Sequence, residues 1–99
     1  MHPGRYEERS TTAVAVMLTS QDCVSRTELT LTENISGRGA RVVTKKLWSA
    51  NDSLVIKSLE GDFESEARVI YSQPLRESVY AIGLELIAPT GNWRTKSSY

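Results

Sequence analysis

Six short runs of alternating residues, set apart by turn signals, decide most of what this chain folds into. In Thr11–Leu18 one face carries Thr12, Val14, Val16 and Leu18 and the other Ala13, Ala15 and Met17. After the polar connection Thr19–Cys23, the run Val24–Thr32 is predicted to turn Leu29 and Leu31 inward and Glu28, Thr30 and Thr32 outward. The turn Asn34–Gly39 leads to Ala40–Thr44, where Ala40 and Val42 share a face. Lys45–Asp52 reads as irregular, and Asn51-Asp52 as a turn before Ser53–Ser58, which carries Leu54 and Ile56. Beyond the tight turn Glu60-Gly61-Asp62, Phe63–Ser72 places Phe63, Ala67, Val69 and Tyr71 opposite Glu64, Glu66 and Arg68. Gln73–Ser78, with Pro74 inside it, is predicted to close a hairpin into Val79–Ile87. There Tyr80, Ile82, Leu84 and Leu86 share a face, and Pro89 and Gly91 end the run.

No segment carries a convincing helical period, so the chain reads as all-β. A six-stranded antiparallel barrel is favoured over an open sandwich, because closure leaves no unpaired edges. With 99 residues the chain is read as one domain. Residues 1–10 form an arm, 11–87 the barrel and 88–99 a polar tail with at most one short helical turn.

Composition narrows the function classes. The formal net charge is zero, so anion binding must come from local clusters of arginine, and a general grip on duplex DNA is not expected. Cys23 is the single cysteine, which rules out an internal disulfide. No apolar run approaches the ~18–20 residues of a spanning helix. The expectation is a soluble, cytoplasmic protein without membrane insertion. His2 is the single histidine, which removes most metal sites and most histidine-based catalysis. Ser36 as a nucleophile with Glu85 as its base lacks the partner that would activate the hydroxyl, so no enzyme and no cofactor are expected.

Two polar features remain. Arg5 and Arg9, four residues apart, stand just before the first strand run. Asn34, Ser36 and Gly39 stand after the second, with 24 residues between Arg9 and Asn34. Alone, the first reads as a solvated charged arm and the second as a turn, with Gly39 free to take φ > 0 or to let another group approach the main chain. Together, as R-x-x-x-R followed by [D/N]-x-S-x-x-G, they resemble the PilZ family of small six-stranded barrels. Gly39-Ala40-Arg41-Val42, Ala67-Arg68-Val69-Ile70-Tyr71 and Tyr80-Ala81-Ile82-Gly83-Leu84-Glu85-Leu86 extend the resemblance from about Arg5 to Leu86.

The resemblance implies a receptor for the bacterial second messenger cyclic di-GMP, which passes occupancy to a downstream protein partner or a fused domain. It assigns ligand binding to Arg5, Arg9, Asn34, Ser36, Gly39 and Tyr71. The chemistry suits those residue types. A guanidinium forks onto guanine O6 and N7 or onto a phosphate. Asn34 and Ser36 meet a guanine edge, and Gly39 leaves room for the ligand. Arg9, beside the first strand, is the better-fixed anchor, and Arg5 depends more on the arm. Tyr71 matches a position where the family places an aromatic ring over a guanine; cross-strand or core packing is the other reading. Arg38 reaches a phosphate or is simply solvated. Arg41 and Arg68 are expected outward, paired with Glu64, Glu66 or Glu85. Gly4, where many members carry a basic or bulky residue, leaves open whether one ligand or a stacked pair is bound. An adaptor that keeps the barrel but takes a protein partner instead of nucleotide is the alternative.

Overall fold

Inward side chains at every second position force these strands to wrap around one core. The computed structural model describes residues 13–21 and 27–93. It contains β1 (Ala15–Ser20), β2 (Thr27–Ile35), β3 (Gly39–Thr44), β4 (Ser53–Ser58), β5 (Glu64–Arg76) and β6 (Val79–Thr90). The strands close into an antiparallel barrel in the order β1-β2-β3-β6-β5-β4. No helix occurs among the described residues. The expected six-stranded barrel is the fold observed.

Val16 and Leu18 on β1, Val42 on β3, Leu54 and Ile56 on β4, Val69 on β5 and Ile82 on β6 are completely buried. The connection between β3 and β4 adds Trp48, only 2% exposed, to the same core. That connection is irregular, as expected, but Asp52 ties it down. Its carboxylate accepts from the Ser49 N–H at 2.8 Å, and its own N–H donates to the Ser49 carbonyl at 3.0 Å. Phe63, just before β5, is stacked against Trp93 with ring centroids 3.9 Å apart.

Four local expectations change. The face of β2 is reversed: Leu29 and Leu31 are exposed, and Thr32 is buried. The cause is pairing with β1, where Leu31 lies opposite Ala15, Thr30 opposite Val16, Leu29 opposite Met17 and Glu28 opposite Leu18. Directly opposed residues share a side of the sheet, so inward Val16 and Leu18 carry Thr30 and Glu28 with them. Each inward polar group is compensated. Thr32 Oγ1 accepts from the Val14 N–H at 2.9 Å, and Thr30 Oγ1 donates to the Val43 carbonyl at 2.6 Å. The Glu28 carboxylate accepts from Thr44 Oγ1 at 2.5 Å and from the Lys45 N–H at 2.8 Å.

Asn34 and Ile35 belong to β2 rather than to the turn, because Ile35 is buried and pairs with Ala40. The strand β5 also continues through Pro74 to Arg76 instead of ending in a loop. Its ladder with β4 stops at the Ser53–Arg68 pair, and beyond that β6 is its described ladder partner. A residue without an N–H is tolerated where one side of a strand carries no ladder. Finally, β6 runs on to Thr90. Gly91, at φ +78°, then makes the turn, and a Cβ there would sit 2.1 Å from the Asp62 carbonyl oxygen.

Candidate functional site

Two irregularities in the ladders turn the site residues toward the surface. Between Thr32 and Asn34 the pairing of β2 with β3 slips by one residue, leaving Glu33 extra. Strict alternation from buried Thr32 would send Asn34 into the core. The bulge instead returns Ile35 to the interior and leaves Asn34 half-buried at the surface. The second slip lies in β5 between Val69 and Tyr71, opposite Leu84 and Gly83 of β6. Val69 is fully buried, and alternation would bury Tyr71 as well; with Ile70 as the extra residue, both Ile70 and Tyr71 are exposed. Tyr71 therefore does not share the face of Phe63, Ala67 and Val69.

The turn after β2 is built by Ser36 and Gly39. The Ser36 N–H donates to the Gly39 carbonyl at 2.9 Å, and the Gly39 N–H donates to Ser36 Oγ at 3.2 Å. The motif serine thus first holds the turn that follows Asn34. Gly39 does not use a left-handed conformation. Its need for glycine comes from β6, since a Cβ would lie 2.9 Å from the Leu84 carbonyl oxygen. The group that approaches Gly39 in this barrel is a neighbouring strand.

Arg41 connects the two bulged strands. Its Nε donates to Glu33 at 2.7 Å, one guanidinium nitrogen to the Tyr71 hydroxyl at 2.8 Å, and the other to Gln73 at 3.2 Å. Its cationic carbon lies 5.7 Å from the centre of the Tyr71 ring. The hydrogen bond to Glu33, then that to Tyr71, raises the Arg41 pKa further above its ordinary value. Arg41 thus pairs with Glu33 rather than with Glu64, Glu66 or Glu85. Arg68 does pair with Glu85, at 2.5 Å on the exposed surface. Tyr71 is seated over buried Gly83: a Cβ on Gly83 would fall 2.2 Å from ring carbon Cε2.

Asn34, Ser36, Gly39 and Tyr71 meet at one depression of about 390 Å³, which Ala40, Arg41, Ile70, Gly83 and Leu84 complete. A neighbouring depression of about 680 Å³ shares Ser36, Gly39, Ile70 and Leu84 with it and extends toward Arg38, Asn51, Arg68 and Glu85. We centre the site on the smaller one, where an aromatic ring, an amide and a cation converge, although the larger volume lies beside it. Arg5 and Arg9 fall outside the described residues. Sequence reasoning missed Glu33, Ile70 and Gly83 here, and gave Arg41 the wrong partner. Gly83 inside an apolar strand run was the one available signal, because such a glycine often marks close approach by another group.

Comparison with protein-family models finds no match, and none is found among curated proteins. Among solved structures, the Bacillus subtilis inhibitor of motility (MotI/DgrA) is similar, with a TM-score of 0.68 at 20% sequence identity. The likeness covers 90% of this chain and 44% of that one, so the chain spans less than half of that protein's length. At such identity the likeness carries the fold alone.

Proposed function

We propose that this barrel is a receptor for cyclic di-GMP, coupling nucleotide binding to ordering of its leading arm and so to a downstream protein partner. One observation carries the reading. Four residues that the motif resemblance implicates, drawn from β2, the following turn with β3, and β5, line a single depression. Their chemistry fits a purine. The Asn34 side-chain oxygen accepts from guanine N1–H or N2–H, and the Tyr71 ring offers a stacking surface. The Ser36 hydroxyl is bound inside its turn, accepting from the Gly39 N–H at 3.2 Å and donating to the Gly39 carbonyl at 3.4 Å, so its contribution is to hold the turn that follows Asn34. The resemblance assigns the forked donors for guanine and phosphate to Arg5 and Arg9, which lie outside the described residues.

Calorimetry with cyclic di-GMP and cyclic di-AMP tests the reading. Saturable heat with the guanine ligand alone is expected, because adenine reverses the donor and acceptor pattern at its sixth position. Equal binding of both, or Arg9→Ala binding as well as the parent, would count against it. A receptor rather than a catalyst is proposed, since Ser36 is engaged with Gly39 and no base adjoins it among its described partners.

The alternative, an adaptor that binds a protein without nucleotide, is favoured by one observation. Leu29 and Leu31 are exposed on the outer face of β2, across from Ala15 and Met17. An NMR titration separates the two readings. Shifts at Asn34–Gly39 on adding cyclic di-GMP support the receptor; their absence supports the adaptor.

A further inference from the structure

We infer that Arg41 is a positioning residue: by holding Tyr71 over Gly83 it keeps the phenol ring as a preformed shelf for a nucleobase. The inference deepens the nucleotide reading above and rests on it. A tyrosine that is 41% exposed on the outside of a barrel has little packing of its own to choose one rotamer. Here two constraints choose it. Gly83 removes the side chain that would stand under the ring. Arg41 takes the hydroxyl at 2.8 Å and also grips Gln73, two residues along β5 on the same side of the strand.

Arg41 is itself anchored. Its Nε is engaged by Glu33 at 2.7 Å, the bulge residue that precedes Asn34. One guanidinium thus links Glu33, the residue before the amide expected to read the base edge, with the ring expected to stack on the base face. The cation sits beside an opposite charge and spends all three nitrogens on protein partners, so its role is to orient rather than to hook an anion. A lysine keeps the charge but lacks the planar fork and reaches only part of this set. Preformed geometry strengthens binding because the ring is not ordered anew when the ligand arrives.

The test uses the full chain, Arg41→Lys, and two readouts. The first needs no ligand. Ring current from Tyr71 displaces the Gly83 Hα resonances upfield, and in Arg41→Lys they return toward ordinary glycine values. The second is calorimetry with cyclic di-GMP. A full base stack is worth about 5- to 150-fold in affinity, and Arg41→Lys is expected to lose about tenfold of it. In a Tyr71→Ala background the same substitution should lose nothing further. Unchanged Gly83 resonances overturn the positioning role. An equal loss of affinity with and without Tyr71 overturns it too, because Arg41 would then act on the ligand directly. If the parent protein binds no cyclic di-GMP, the nucleotide reading fails, while the Gly83 resonances still decide whether Arg41 orients the ring.

Discussion

Gly83→Ala separates the stability of the barrel from the preparation of its proposed site. The new Cβ would lie 2.2 Å from Tyr71 Cε2 and 2.6 Å from Cζ. Ordinary carbon contacts begin near 3.5 Å, so the ring must retreat by about 1.3 Å. It is free to do so, because Tyr71 is exposed and the clash is with the outer end of its side chain. Retreat breaks or lengthens the 2.8 Å hydrogen bond from Arg41, a loss of about 0.5–1.5 kcal/mol. Alanine in place of glycine returns about 0.4–1 kcal/mol by restricting the unfolded chain. The two nearly cancel, so the urea midpoint should move little and Tm by no more than about 4–8 °C. Affinity for cyclic di-GMP should nonetheless fall by up to the value of a base stack, about 1–3 kcal/mol. Urea unfolding and calorimetry on Gly83→Ala, with Tyr71→Ala as background, make the test. Without the ring, Gly83→Ala should be neutral or stabilising. If it destabilises the barrel equally in both backgrounds, something other than Tyr71 occupies that space and the reasoning is wrong.

Three further outcomes are expected. Leu29→Ser should stay within about 0.5 kcal/mol of the parent in urea unfolding, whereas Leu18→Ala should lose about 2–5 kcal/mol; comparable losses would restore the opposite face of β2. Gly91→Ala places a side chain at φ +78° against the Asp62 carbonyl. The left-handed backbone alone costs about 1–2 kcal/mol, and a Tm equal to the parent's would show that the turn closes differently. Asn34→Asp exchanges a neutral acceptor for a charged one, so it should tighten cyclic di-GMP by about 1–2 kcal/mol in calorimetry, and weaker binding would mean that Asn34 does not face guanine donors.

Much of this architecture was legible from local pattern. Val16, Leu18, Ala40, Val42, Leu54 and Ile56 repeat at every second position, and that period specifies both a strand and its buried face. The family resemblance also nominated Asn34, Ser36, Gly39 and Tyr71. What pattern could not supply was the direction in which Tyr71 and the side chains of β2 point. A rule of alternation puts Tyr71 beside Val69 in the core, and it makes Leu29 and Leu31 the inward residues of β2. Both errors have one source: a strand's face is set by its neighbours' register, and a bulge is a property of a pair of strands.

By itself, then, the order of residues determined how many strands form, where most of them begin, and which residue types are offered for binding. Only the closed barrel decided that Glu33 and Ile70 would be extra residues in their ladders, and that Asn34 and Tyr71 would consequently meet Arg41 on the outside. The physical reason is that hydrophobic period is encoded within a few neighbouring positions, whereas cross-strand register is agreed between segments as far apart as β2, β3, β5 and β6.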